Sequence, residues 1–135
     1  MLYPSSGTGQ FAANSAKIIR FVRKGCTNRP FFHIVVAERR IEQQGPAIEQ
    51  LGTFDPMPNE QDEKLVSLNF ERIRYWIGNG ADTSKSVRRL LGLAGFYPVH
   101  PTSYITASKN RRTEEEAALK ASEETKPNET SPANV

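Results

Sequence analysis

The 135-residue chain is poor in the residues that usually carry chemistry: one cysteine, Cys26, two histidines, His33 and His100, and one tryptophan. A single cysteine excludes an internal disulfide and any metal site built from this chain's cysteines alone, and it suits a reducing compartment. Long apolar runs are also missing. The most apolar stretch, residues 90–99, holds two glycines and a proline and falls well short of the roughly 20 residues needed to span a bilayer. No apolar segment follows an N-terminal basic cluster, which argues against a secretory signal. There is no Gly-rich phosphate loop, and Gly78-Asn79-Gly80 reads as a helix stop. Neither histidine has a carboxylate at motif spacing. Glu49 and Asp55 could bracket a divalent ion, which keeps a metal-dependent nuclease or RNA-processing enzyme as a second reading, but no third ligand is in view.

Acid is scarce where base is plentiful. The first 37 residues contain no Asp or Glu, and between residues 17 and 40 seven basic residues (Lys17, Arg20, Arg23, Lys24, Arg29, Arg39, Arg40) face one acidic residue, Glu38, a local balance of +6. From residue 109 onward five basic residues meet six acidic ones. The positive excess therefore lies in the folded body, where it attracts polyanions or anionic surfaces.

Composition divides the chain. Residues 1–16 are small, polar and acid-free, a tail with the character of a mitochondrial targeting segment. Residues 109–135 carry glutamates and prolines without aromatics and read as disordered, with a short helix around 117–121. Residues 96–108 form an extension between that tail and a folded domain at 17–95. In the domain, residues 17–23, 32–37 and 47–54 alternate as strands, and Asp55-Pro56-Met57-Pro58-Asn59 ends the strand run. The period then becomes helical. Asn69 caps a helix over 70–79 with Phe70, Ile73 and Ile77 on one face, and Ser84 caps a second with Val87, Leu90, Leu91 and Ala94, ending at Gly95. The pattern predicts strands that form a sheet and two helices packed on one face of it.

Five of the seven patch residues are arginine, whose planar fork donates two hydrogen bonds to phosphate and keeps its charge at any working pH. Further arginines, Arg72, Arg74 and Arg88, lie on the polar sides of the helices. Stacking of single strands needs aromatics on an open sheet face, whereas Phe21, Phe31 and Phe32 are expected in the core. The patch thus predicts recognition of folded RNA through backbone and shape. A third reading is a partner-binding adaptor that docks through the apolar segment 93–99. Cys26 sits in the turn Lys24-Gly25-Cys26-Thr27-Asn28-Arg29, where one thiolate alone cannot hold zinc or an iron–sulfur cluster.

Taken in order, Ile18-Ile19-Arg20-Phe21, Asn28-Arg29-Pro30-Phe31-Phe32-His33-Ile34-Val35-Val36-Ala37, Ile48-Glu49-Gln50-Leu51-Gly52-Thr53-Phe54-Asp55-Pro56 and Leu68-Asn69-Phe70-Glu71-Arg72-Ile73-Arg74-Tyr75-Trp76-Ile77-Gly78-Asn79-Gly80-Ala81 resemble the small-subunit ribosomal protein S16 family over about residues 17–92. The sixteen residues before the first strand and the segment 90–101 resemble its mitochondrial branch. The resemblance implies an α+β fold with a small mixed β-sheet packed with two helices, in a structural constituent of the mitochondrial small ribosomal subunit, in the matrix. It implies binding of small-subunit rRNA during assembly, contact with neighbouring mitochondrial ribosomal proteins, and no catalysis, membrane or small-molecule substrate. It implies that Arg20, Arg23, Lys24, Thr27, Asn28, Arg29, Arg39 and Arg40 face RNA, and the basic patch with the helix arginines adds Lys17, Arg72, Arg74 and Arg88 to the expected RNA-binding set. At Gly25-Cys26-Thr27-Asn28-Arg29-Pro30 it further implies that Cys26 is one ligand of a 2Fe-2S cluster completed by a neighbouring ribosomal protein.

Overall fold

A computed structural model describes residues 16–124; the targeting segment expected at 1–16, Ala16 excepted, and residues 125–135 lie outside the described residues. Residues up to Pro98 form one unit and those from Val99 another.

The first unit is built on five strands, β1 (Lys17–Cys26), β2 (Arg29–Glu38), β3 (Glu49–Phe54), β4 (Val66–Leu68) and β5 (Asp82–Thr83), in the order β4-β3-β2-β1-β5. All neighbours run antiparallel except β1 and β5, so the sheet is mixed as expected. The strands β1 and β2, rich in β-branched and aromatic residues, pair along their whole length, from Lys17 opposite Glu38 to Cys26 opposite Arg29, which leaves Thr27 and Asn28 as the turn. This hairpin is longer than the period-2 pattern predicts, because its last residues, 23–29, are all exposed and bury no apolar face that would show as alternation. Gly25 is needed near the tip. Its φ is +92°, and a Cβ there would lie 2.5 Å from the Arg29 carbonyl oxygen, a conformation and approach that only glycine tolerates without strain.

Two helices cover one face of the sheet, α1 (Phe70–Gly78) and α2 (Lys85–Leu93), each capped as its sequence predicts: Asn69 Oδ1 accepts from the Arg72 N–H and Ser84 Oγ from the Val87 N–H. Their apolar faces meet the sheet in a core of Ile19, Ile34, Val36 and Leu51 with Ile73, Trp76, Val87 and Leu91. Leu51 is the extra residue of a β-bulge, since Ile34 pairs with Gly52 and Val35 with Gln50. Its side chain is buried, and its carbonyl accepts from the Asn69 N–H, fixing the start of α1 to the sheet. Phe96 and Tyr97 also enter this core, so the segment 93–99 is not the exposed docking element expected of it. Of its large side chains Leu93 alone is well exposed.

The short strands β4 and β5 were not legible. The second unit brings another difference: α3 (Pro101–Glu124) is one helix of 24 residues where an extension and a disordered tail are expected. Composition explains it in retrospect. Proline occupies the first helical position, the His100 ring nitrogen accepts from the Thr102 N–H, and residues 114–121 are nearly all strong helix formers. The helix is exposed along most of its described length. No helix among the described residues is long and apolar enough to cross a membrane.

Candidate nucleic-acid interface

The protruding hairpin carries the cationic run outward, yet the structure separates those cations into two sets. In the first set the side chain is engaged by groups of the protein itself, although Arg39, Arg72 and Arg88 stay 37%, 42% and 45% exposed. Arg20 is half-buried, and its Nη2 donates to the carbonyls of Ile41 (2.9 Å) and Glu42 (2.8 Å). It thereby ties the β2–β3 loop across the sheet face opposite the helices. The same loop closes the edge of β1 beyond β5, where Gln43 donates to the Phe21 carbonyl and Gln44 to the Arg23 carbonyl, so side chains stand where a longer strand would pair. Lys17 lies 5.0 Å from the centre of the Trp76 ring. Arg39 (2.7 Å) and Arg88 (3.2 Å) share the Asp82 carboxylate, and Arg88 also donates to Thr83.

Arg72 is the most tightly held. Its Nε and Nη2 each reach a Glu49 oxygen at 2.7 Å, the Trp76 indole N–H donates to the same carboxylate at 2.7 Å, and the Tyr75 ring lies 4.4 Å from the guanidinium carbon. The Arg72 hydrogen bonds, and after them the Trp76 N–H, hold the Glu49 carboxyl at about 2, well below its ordinary 4.5; the same pairing raises Arg72.

The second set is displayed. Arg23, Lys24 and Arg40 are exposed and make no ion pair or side-chain hydrogen bond among the described residues, and Arg74 is displayed likewise on α1. Arg29 has a partner, Asp55 at 3.4 Å, but its side chain stays 70% exposed; so long and open a contact holds little. Thr27 and Asn28 add exposed polar groups at the turn. Arg23 and Lys24 flank the tip and Arg40 follows the hairpin's base, roughly 20 Å away at the usual strand rise.

The aromatic residues differ from expectation. Phe21, Phe31 and Phe32 are half-buried and not fully in the core. Phe21, Phe32 and Phe54 pack on one another on the helix-facing side, while Phe31 meets His33 edge-on.

The nuclease reading fails on geometry. Glu49 and Asp55 lie at opposite ends of β3, one spent on Arg72 and Trp76, the other on Arg29 and the Met57 N–H. A carboxylate held at about 2 is a poor proton carrier near neutrality. Among the described residues no group of three or more His, Cys, Asp or Glu is placed to hold a metal ion. Cys26 is exposed beside the hairpin turn, so this chain's own residues do not build a cluster site and supply at most one thiolate.

Sequence reasoning missed Glu49 as the anchor of Arg72, Asp82 as the acceptor for two arginines, and Gln43 and Gln44 as edge caps. Only the run of polar residues at 42–44 hinted at the last of these.

A small α+β domain that projects a cationic hairpin from a sheet backed by two helices is a binding module. A family model described as Ribosomal protein S16 matches residues 23–84. A Drosophila melanogaster protein named small ribosomal subunit protein bS16m is 63% identical over 116 residues, covering 86% of this chain and 90% of its own. A Caenorhabditis elegans protein of the same name is 49% identical over 104 residues, covering 74% and 71%. An Arabidopsis thaliana protein named bS16m/bS16c is 43% identical over 83 residues, covering 62% of each chain. This chain belongs to the ribosomal protein S16 family, whose members are structural components and not enzymes.

Proposed function

We propose that this chain is a structural constituent of the mitochondrial small ribosomal subunit, in the matrix, and that it binds and stabilises folded small-subunit rRNA as the subunit assembles and supports mitochondrial translation. The observation that carries the RNA reading is the exposed cationic hairpin, with Arg23 and Lys24 at its tip and Arg40 at its base paired with no acid among the described residues. Polyanion binding follows from phosphate neutralisation, with counterions released from the RNA. Arg29, Thr27, Asn28 and Arg74 add donors to phosphate and sugar. Arg20, Lys17, Arg39, Arg72 and Arg88 act through position: they hold the loop and helices that set the hairpin's angle, and they add to the positive field. Neighbouring small-subunit ribosomal proteins complete the surroundings.

The test is a sucrose gradient of organelle lysate, followed by mass spectrometry, with and without RNase. Comigration with the small subunit, abolished by RNase, is the expected result; a free, RNase-insensitive peak overturns the reading.

The resemblance at residues 25–30 and the exposure of Cys26 also support one finer assignment, Cys26 as a single ligand of a 2Fe-2S cluster whose other ligands come from a neighbouring protein. Iron and acid-labile sulfide in purified subunits should then fall by one cluster per particle in Cys26→Ser. Unchanged content in subunits that contain the variant removes Cys26 from the assignment.

A further inference from the structure

Between the helix-facing side of the sheet and α2 lies an open groove of about 840 Å3, lined among others by Phe21, Phe54, Val66, Phe70, Leu90 and Leu93. Three of these are large apolar side chains left open, Leu93 at 69%, Val66 at 42% and Phe70 at 39% exposure. An apolar concavity of this size is in the range of binding pockets. Its charged lining is one-sided: Lys64 and Arg89 are present and, among the described residues, no carboxylate is. Neither cation has an ion pair or side-chain hydrogen bond among the described residues.

We infer that this groove docks a segment of a neighbouring protein in which apolar anchors are flanked by Asp or Glu. The anchors fill the space between Phe54, Val66 and Leu93, and the carboxylates meet Lys64 and Arg89. Nucleic acid fits the surface less well. Much of the lining is aliphatic, and the Phe21 and Phe54 rings already pack on each other at 5.7 Å, whereas base stacking needs free ring faces. The inference rests on the ribosomal reading only in placing the partner within the small subunit, and it concerns a surface separate from the hairpin tip.

The test uses the full chain in organelles, with a photoreactive benzophenone amino acid in place of Leu93. Gradient-purified small subunits are irradiated and the crosslinked peptides identified by mass spectrometry. The expected product is a crosslink to a protein segment that has acidic residues beside apolar ones. Its yield should fall about fivefold or more in Lys64→Glu/Arg89→Glu, since each reversal sets like charges together. Both cations are exposed and have no ion pair among the described residues, so the double variant keeps the fold, which its circular dichroism melt verifies; Lys64→Gln/Arg89→Gln should show a smaller fall. An RNase-released crosslink, a partner segment without acids, a yield indifferent to charge reversal, or no crosslink in a comigrating chain each overturns the inference. Failure of the wild-type chain to comigrate refutes the ribosomal reading instead.

Discussion

Neutralising the displayed cations separates charge that faces the ligand from charge spent on the fold. The perturbation is Arg23→Gln/Lys24→Gln/Arg40→Gln, three exposed side chains with no ion pair or side-chain hydrogen bond among the described residues. If each meets one phosphate, log K against log salt loses about 0.7–0.9 per contact, or about 2–3 units in all. Over a fourfold rise from about 50 to 200 mM salt, the wild type should therefore lose about 20- to 40-fold more affinity than the variant does. The assay is filter binding of the full chain to transcribed small-subunit rRNA across that range, with the melting temperature recorded alongside. Two controls sharpen it. Arg111→Gln/Arg112→Gln removes two exposed cations from α3 and should leave the slope nearly unchanged. Arg72→Gln breaks the bidentate pair with Glu49 and should lower the melting temperature more than the slope. An unchanged slope in the folded triple variant, or an equal change in the α3 control, refutes the assignment of the hairpin as the RNA-binding edge.

Gly25→Ala should destabilise the hairpin tip by about 1–2 kcal/mol through its left-handed φ alone, with the Arg29 carbonyl clash adding to it; faster amide exchange at residues 23–31 with slow exchange retained in α1 and α2 is the signature. Leu91→Ala, at a fully buried core position, should cost about 2–5 kcal/mol in denaturant unfolding, and a cost near zero would contradict the packing described. Because Glu49 is held below its unfolded value, its pairing stabilises the fold fully above about pH 4.5 and that stabilisation is lost as pH falls toward about 2. Glu49→Gln should therefore flatten the acid limb of a melting-temperature profile, and an unaltered limb would show the pair contributes nothing. Tyr97, raised chiefly by burial, gives the opposite sign: its contribution is present below about pH 10 and fades as pH rises further, and Tyr97→Phe should soften that alkaline loss.

Much of this was legible in the chain itself, for local reasons. Alternation marked the first three strands, Asn69 and Ser84 marked two helix starts because a short polar side chain at that place satisfies a free backbone N–H, and the ordered motifs marked the family. The acid-free run located the interface as a region. What the chain could not show depends on partners distant in sequence. The strands β4 and β5, of three and two residues, exist through their pairing and carry too few residues for a period. The helix over residues 101–124 had the opposite cause: charge and missing aromatics suggested disorder beyond the short helix expected at 117–121, while the helix propensity of residues 114–121 pointed the other way. Which arginines are displayed was likewise decided by tertiary contacts, Arg72 with Glu49 across 23 positions and Arg39 with Asp82 across 43. Sequence alone determined that this chain concentrates positive charge on one hairpin, because that charge is local to it. Folding decided which of those charges remain available, since a guanidinium already bound to a carboxylate or a pair of carbonyls is held in place with some of its donors engaged before any RNA arrives.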